Sequence, residues 1–304
     1  MTGPMPAAAP SPAGGPWPVT PGVRLTDVPG ATLEERIGRA GELGFSCVQL
    51  PSKLVYASFG IDRSGLTPGL ARHLAAVMAR AGVWAAVLGC YRNLALTEDE
   101  GLGNELAEFR ACARFASWLG GCVVATECGR PNRENAIGPD RLGAAAMDRL
   151  CHGLEGALDA CAASGVTLAV EPGFNECACS AERCRVLLDR LGGRGLAVVW
   201  DPVSLLHPSA VRHAPELFGR FIELCGDAVA VLHMKDLEVV PDEARPEWCD
   251  GTGRRIVCHG IGETGGVDLS PVLEWASKAK PWAPAIVENG SPEGLAGCLS
   301  RLRG

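Results

Sequence analysis

No run of apolar residues in this chain approaches the roughly 20 that a membrane-spanning helix needs, so a membrane protein is not expected. The sequence also lacks a GxxxxGK[ST] loop and a strand-GxGxxG turn, which removes the two commonest phosphate-cradling devices. It lacks a positive charge balance. Lys and Arg total 28 against 35 Asp and Glu, for a net charge of −7, which argues against nucleic-acid and anionic-membrane partners. Residues 1–21 are rich in Pro, Ala and Gly, with neither a basic start nor an apolar core, and read as a disordered N-terminal arm rather than a signal peptide. Without a secretion signal, the 14 cysteines are expected as free thiols in the reducing cytoplasm. Cys177, Cys179 and Cys184 cluster, but they form no standard CxxC pair and no fourth zinc ligand is evident.

What is present is strict alternation. Apolar, strand-like runs at Val23–Leu25, Phe45–Leu50, Val83–Leu88, Cys122–Thr126, Val166–Glu171, Leu196–Asp201, Ala228–His233 and Ala285–Glu288 are separated by helical patterns. Those patterns cover Thr32–Leu43, Thr67–Ala81, Thr97–Leu119, Pro139–Ala163, Ser180–Leu191, Ala210–Cys225, Ser270–Lys280 and Pro292–Leu302. Eight strand–helix units imply parallel strands with right-handed crossovers, closed into a single-domain α/β (β/α)8 TIM barrel over residues 22–304. A hydrophobic content of 47% supplies the core this requires.

Four of the runs end on a polar residue: Glu171, Asp201, His233 and Glu288. In a parallel barrel the C-terminal strand ends share one mouth, where such barrels carry their chemistry. Three carboxylates and an imidazole suit a divalent ion such as Mn2+, Mg2+ or Co2+ better than a thiolate-type zinc site. Each residue alone has a plain alternative, a helix cap or an ion pair. Other candidates lie on the same rim. Lys235 shares a strand face with His233. Glu127, Arg130 and Asn132 follow the fourth run, and Arg92 and Asn93 follow the third. His259 and Glu263 sit in a Gly-rich insertion, Leu237 to Asp268, which is expected to fold over the site as a lid bringing Glu238, Arg254 or His259 towards substrate. His73, His152 and His213 fall on helical patterns. Trp84, Trp200 and Trp282 lie in or near strands and read as core.

Several stretches resemble the xylose-isomerase-like barrel superfamily, in particular its sugar phosphate isomerase/epimerase branch. They are Val124-Ala-Thr-Glu-Cys-Gly, Ala169-Val-Glu-Pro, Val199-Trp-Asp-Pro-Val-Ser-Leu-Leu, His233-Met-Lys-Asp, Gly260-Ile-Gly-Glu and Val287-Glu. The resemblance runs from about residue 22 to the C-terminus. It implies that Glu171, Asp201, His233 and Glu288 bind one divalent metal. It further implies that Glu171 and Glu288 move a proton on opposite faces of a sugar-like substrate through a metal-held enediolate, giving an isomerase or epimerase. The chain departs from that pattern in lacking a His between 172 and 180 and in carrying Ser204 three residues after Asp201. His207 stands either as a substitute or as a cap of the next helix. The implied alternatives are a lyase or dehydratase acting on a keto-inositol or keto-glycoside, an apurinic endonuclease-like enzyme and a non-catalytic sugar-binding barrel. The expected partner is a small sugar-like molecule; a homo-oligomer is left open.

Overall fold

The computed structural model describes residues 19–242 and 253–303. Its strands are β1 (Thr20–Arg24), β2 (Cys47–Pro51), β3 (Trp84–Gly89), β4 (Val123–Glu127), β5 (Leu168–Glu171), β6 (Ala197–Trp200), β7 (Val229–Pro241), β8 (Arg254–Gly260) and β9 (Pro284–Val287). Its helices are α1 (Leu33–Leu43), α2 (Ser52–Phe59), α3 (Pro68–Arg80), α4 (Leu102–Trp118), α5 (Ala144–Ser164), α6 (Ala181–Leu191), α7 (Ala214–Cys225), α8 (Ser270–Ala279) and α9 (Leu295–Arg303). Strands β1 to β7 pair in parallel in chain order, β7 pairs with β9, and β9 returns to β1. The expected (β/α)8 barrel therefore closes. The expected arm lies outside the described residues over 1–18, and β1 already includes Thr20 and Pro21.

Local chemistry explains most boundaries. Thr32 and Ser180 cap α1 and α6 by accepting the amides of Glu35 and Arg183, and Gly44 ends α1 at φ 93°, where a side chain would be strained. Thr97 does not open α4 as expected. Its amide is held by Glu100 Oε2 at 2.9 Å in a preceding turn, and the helix starts after Gly101. Two elements were not foreseen. Helix α2 is short and follows Pro51 without a side-chain cap, so it has no start signal. In its described residues the insertion forms a hairpin: β7 continues to Pro241 and β8 pairs with it antiparallel, from Lys235 opposite Gly260 to Pro241 opposite Arg254. Residues 243–252 of that insertion lie outside the described residues.

Side-chain alternation divides the core into two layers. Cys47, Val87, Ala125, Ala169, Val199, Val231 and Ile286 fill the barrel interior. Their neighbours Val48, Leu88, Val124, Val170, Trp200, Leu232 and Val287 face the helices. Gly22 completes the inner layer, where a Cβ would overlap Ile286 Cδ1 and Cys47 Sγ. Trp200 is buried and stacks on Phe221 with centroids 4.7 Å apart. Trp84 and Trp282 were expected in the core but are 49% and 84% exposed, because Trp84 begins β3 and Trp282 lies in the turn before β9, both at the end of the barrel opposite the mouth. Among the described residues no helix is long and apolar enough to cross a membrane.

Candidate active site and metal centre

The inner layer points to the site. Two residues beyond every inner side chain except Val87, which Gly89 follows, the same pleat face presents a polar group at the mouth. Arg24 follows Gly22, Gln49 follows Cys47, Glu127 follows Ala125 and Glu171 follows Ala169. Asp201 follows Val199, His233 and then Lys235 follow Val231, and Glu288 follows Ile286. Sequence and topology together thus deliver a ring of charge directly above an apolar plug.

Ligand atoms of Glu171, Asp201 and His233 lie within 4.8 Å of one another, a set able to hold a metal ion. Glu288 lies beside them, its Oε1 at 3.5 Å from His233 Nδ1, while Glu171 Oε2 approaches the same nitrogen at 3.2 Å. Glu288 is tied outside that triad, accepting from Gln49 Nε2 at 3.1 Å and pairing with Arg24 at 3.3 Å. Asp201 Oδ1 accepts two backbone amides, from Val203 at 2.9 Å and Ser204 at 3.0 Å. Its Oδ2 faces Lys235 Nζ at 2.6 Å. Lys235 also donates to Ser204 Oγ at 3.0 Å.

The donor set fits a metal. His233 is fully buried, and its Nε2 lies 2.6 Å from Gln49 Oε1. An amide oxygen only accepts, so Nε2 carries a proton and Nδ1 is the nitrogen left to face a metal. That atom has no hydrogen-bond partner and faces the carboxylates, the arrangement in which an outer-shell acceptor orients a metal-binding imidazole. Burial alone would raise the Glu171 carboxyl, but His233, Lys235 and the Tyr91 hydroxyl at 2.8 Å outweigh it and hold the group well below the usual carboxylate range. His233 is shifted the other way: burial disfavours its charge, yet Glu288 and Glu171 raise it above its ordinary value.

A cavity of about 400 Å3 opens beside this cluster, lined by Tyr91, Glu127, Glu171, Phe174, Glu176 and Ser204 on one side and by Arg255, Ile256 and Cys258 of β8 on the other. Glu127 is thus at the cleft as expected, its carboxyl raised mainly by burial. Other rim candidates brace loops. Arg130 is buried, donating to the carbonyls of Asn175 at 2.9 Å and Asn135 at 3.0 Å. Asn132 closes a turn on Ala136, Asn93 holds the carbonyls of Arg130 and Asn132, and Arg92 pairs with Glu105 at 2.5 Å. His207 is the cap, not the substitute: its Nδ1 lies 2.8 Å from Ser209 Oγ and its ring packs edge-on against Phe174. His259 does not reach the cleft either. In β8 the residues Ile256 and Cys258 face inward, so pleating turns His259 away, towards Glu238 at 3.7 Å. Glu263 ties Gly260 to Ser291.

Sequence reasoning missed Arg24, Gln49, Tyr91 and Glu176. Glu176 is buried, accepts the Cys128 amide at 2.8 Å, and is pushed well above the usual carboxylate range by burial and then by Glu127. Among the described residues Cys177, Cys179 and Cys184 do not come together as a metal-binding set.

No curated protein matches the chain. Among solved structures it is similar to a xylose isomerase domain protein from Planctomyces limnophilus, at 16% identity over 94% of this chain and 95% of that one, with a TM-score of 0.64. It is also similar to 3-keto-D-glucoside 4-epimerase from E. coli, at 12% identity over 94% and 99%, TM-score 0.66. A third is the probable 3-DHS dehydratase AsbF from Bacillus anthracis, at 12% identity over 93% and 96%, TM-score 0.67. At these identities the likeness concerns the fold. The family model described as xylose isomerase-like TIM barrel matches residues 37–287, and with the closed barrel and the mouth its motifs implied, the chain belongs to that family.

Proposed function

We propose that this protein is a divalent-metal-dependent isomerase or epimerase of a sugar or related polyhydroxy compound. The observation that carries the reading is the meeting of Glu171, Asp201 and His233 at the barrel mouth, with the buried Nδ1 of His233 turned into the cluster without a hydrogen-bond partner. Glu171, Asp201 and His233 would hold the ion, with Glu288 adjacent. When bound, Mn2+, Mg2+ or Co2+ would polarise a substrate carbonyl and acidify the neighbouring C–H.

The chain supplies the proton chemistry. Glu171 and Glu288 approach His233 from different strands, β5 and the end of β9, and are the two bases. One takes the proton from the carbon beside the carbonyl; the other returns it. Tyr91 orients Glu171, and Gln49 with Arg24 orients Glu288. Phe174 offers an apolar wall to a sugar ring, and Ser204 and Asn175 offer hydrogen bonds to its hydroxyls. The epimerase named for the E. coli neighbour supports this reaction class.

The test has two arms. Metal content by mass spectrometry should show a divalent ion at about one per chain. With Mn2+ supplied, NMR in D2O across ketoses, keto-inositols and keto-glycosides should show deuterium entering beside a carbonyl. Protein that takes up no divalent metal would sink the reading.

Glu176 favours a lyase as the second reading. A buried carboxyl held above its usual range is an acid able to protonate a departing hydroxyl. Elimination would then depend on Glu176 while C–H exchange would not, so Glu176→Gln separates the two reactions.

A further inference from the structure

Three of the carboxylates at the mouth, Glu171, Asp201 and Glu288, already have a cation among them. Lys235 Nζ lies 2.6 Å from Asp201 Oδ2 and 3.9 Å from Glu288 Oε2, and it reaches Glu171 through Ser204 Oγ, which it contacts at 3.0 Å and which lies 3.4 Å from Glu171 Oε1. Its side chain is 10% exposed, so the charge is held inside the cluster rather than at its rim. Asp201 Oδ1 is filled by two backbone amides, which leaves Oδ2 as the oxygen open to a further ligand, and Lys235 has it.

We propose that Lys235 is a tethered cation that stabilises the carboxylate cluster when no metal is bound and must give up Asp201 Oδ2 before a divalent ion takes it. The proposal rests on the metal-site reading above and adds a competition to it. Buried carboxylates without a counter-charge are costly, so the ammonium keeps the metal-free cluster folded and pre-aligned. The same charge repels an incoming dication. On release, the ammonium has Glu288 Oε2 nearby as a new acceptor and Ser204 Oγ as an anchor, so Lys235 ends as a cation at the edge of the cleft.

The experiment titrates Mn2+ into metal-stripped wild type and Lys235→Met by calorimetry. The variant is expected to bind Mn2+ about tenfold more tightly, the scale of one unit charge removed a few ångströms from a dication in a wet site. Its metal-free form is expected to melt below wild type and to recover when Mn2+ is added. Equal or weaker Mn2+ affinity in Lys235→Met would overturn the competition while leaving the metal site standing. Binding by neither protein would sink the metal-site reading and this proposal with it. If Lys235→Met does not fold, the wild type answers alone: amine acylation followed by peptide mass spectrometry should label Lys235 several-fold faster with Mn2+ than without, and unchanged or slower labelling would overturn the proposal.

Discussion

Gln49 holds two site residues on one amide: its Oε1 faces His233 Nε2 at 2.6 Å, and its Nε2 donates to Glu288 Oε1 at 3.1 Å. The side chain is buried at 1% exposure, so neither bond has a water to replace it. The donor and acceptor ends of one amide thereby fix the imidazole tautomer and the angle of the neighbouring carboxylate together. This links strand β2 to β7 and β9 across the mouth.

Gln49→Leu should therefore weaken Mn2+ binding by about 10–100-fold, the usual effect of losing an outer-shell partner of a metal-binding histidine. Calorimetry on folded, metal-stripped protein checks it. Unchanged affinity would mean that Nδ1 of His233 is not a ligand.

Asp236 anchors the return of the hairpin. Its carboxylate accepts the amides of Leu237, Thr264, Gly265 and Gly266 at 2.8, 3.1, 2.7 and 3.0 Å. At Gly266 a Cβ would collide with the Leu237 carbonyl, so the close approach requires glycine. Burial works against the charge, but the amides outweigh it and lower the Asp236 carboxyl below its ordinary value. A depressed carboxylate stabilises the fold above its unfolded pKa of about 3.9, and that stability is lost as pH falls through the lower folded value. Asp236→Asn should cost about 1.5–3 kcal/mol at pH 7. Urea melts should show the gap between variant and wild type shrinking as the pH is taken below about 4.

The fold was legible because most barrel strands end close to where their apolar runs end, β7 being the one that runs on, to Pro241. Glu171, Asp201, His233 and Glu288 stood out as the polar residues closing those runs. Gln49 was hidden inside Cys47-Val-Gln-Leu-Pro, where a following Leu50 masks the change of character, and Arg24 sits in the shortest apolar run. Both obey the same two-residue step from an inner-layer side chain, so register would have found them. Tyr91 and Glu176 lie beyond strand ends, where loop geometry rather than periodicity sets direction. Strand β8 was obscured by glycines at 251, 253 and 260, which read as a loop. The side to which His259 turns depends on a register that its own sequence does not contain.

Glu288→Gln should reduce substrate C–H exchange by about 10²–10⁴-fold, the range for losing a positioned base. Arg24 keeps Asp27 as a partner at 3.0 Å, so the fold should survive. Because Glu171, Asp201 and His233 remain, metal content should fall only partly. Near-normal exchange would remove Glu288 from proton transfer and leave it as the partner of Arg24 and Gln49.

The hairpin makes the last prediction, which turns on register. Cys258 faces the cleft and His259, one residue on, faces away. Cys258→Trp places a large ring in a cavity of about 400 Å3 and should raise KM steeply or abolish turnover, while metal content stays at the wild-type level. His259→Ala removes a part-exposed side chain that pairs with Glu238 outside the cleft and should leave turnover, KM and metal content unchanged. Measured together, the pair separates a wall from a lid. A strand that walls the cleft gives opposite results at Cys258 and His259, because the pleat there turns the two to opposite sides. A loop that merely folds over the site would make both positions matter alike, and loss of activity in His259→Ala would show that β8 does not hold the register described.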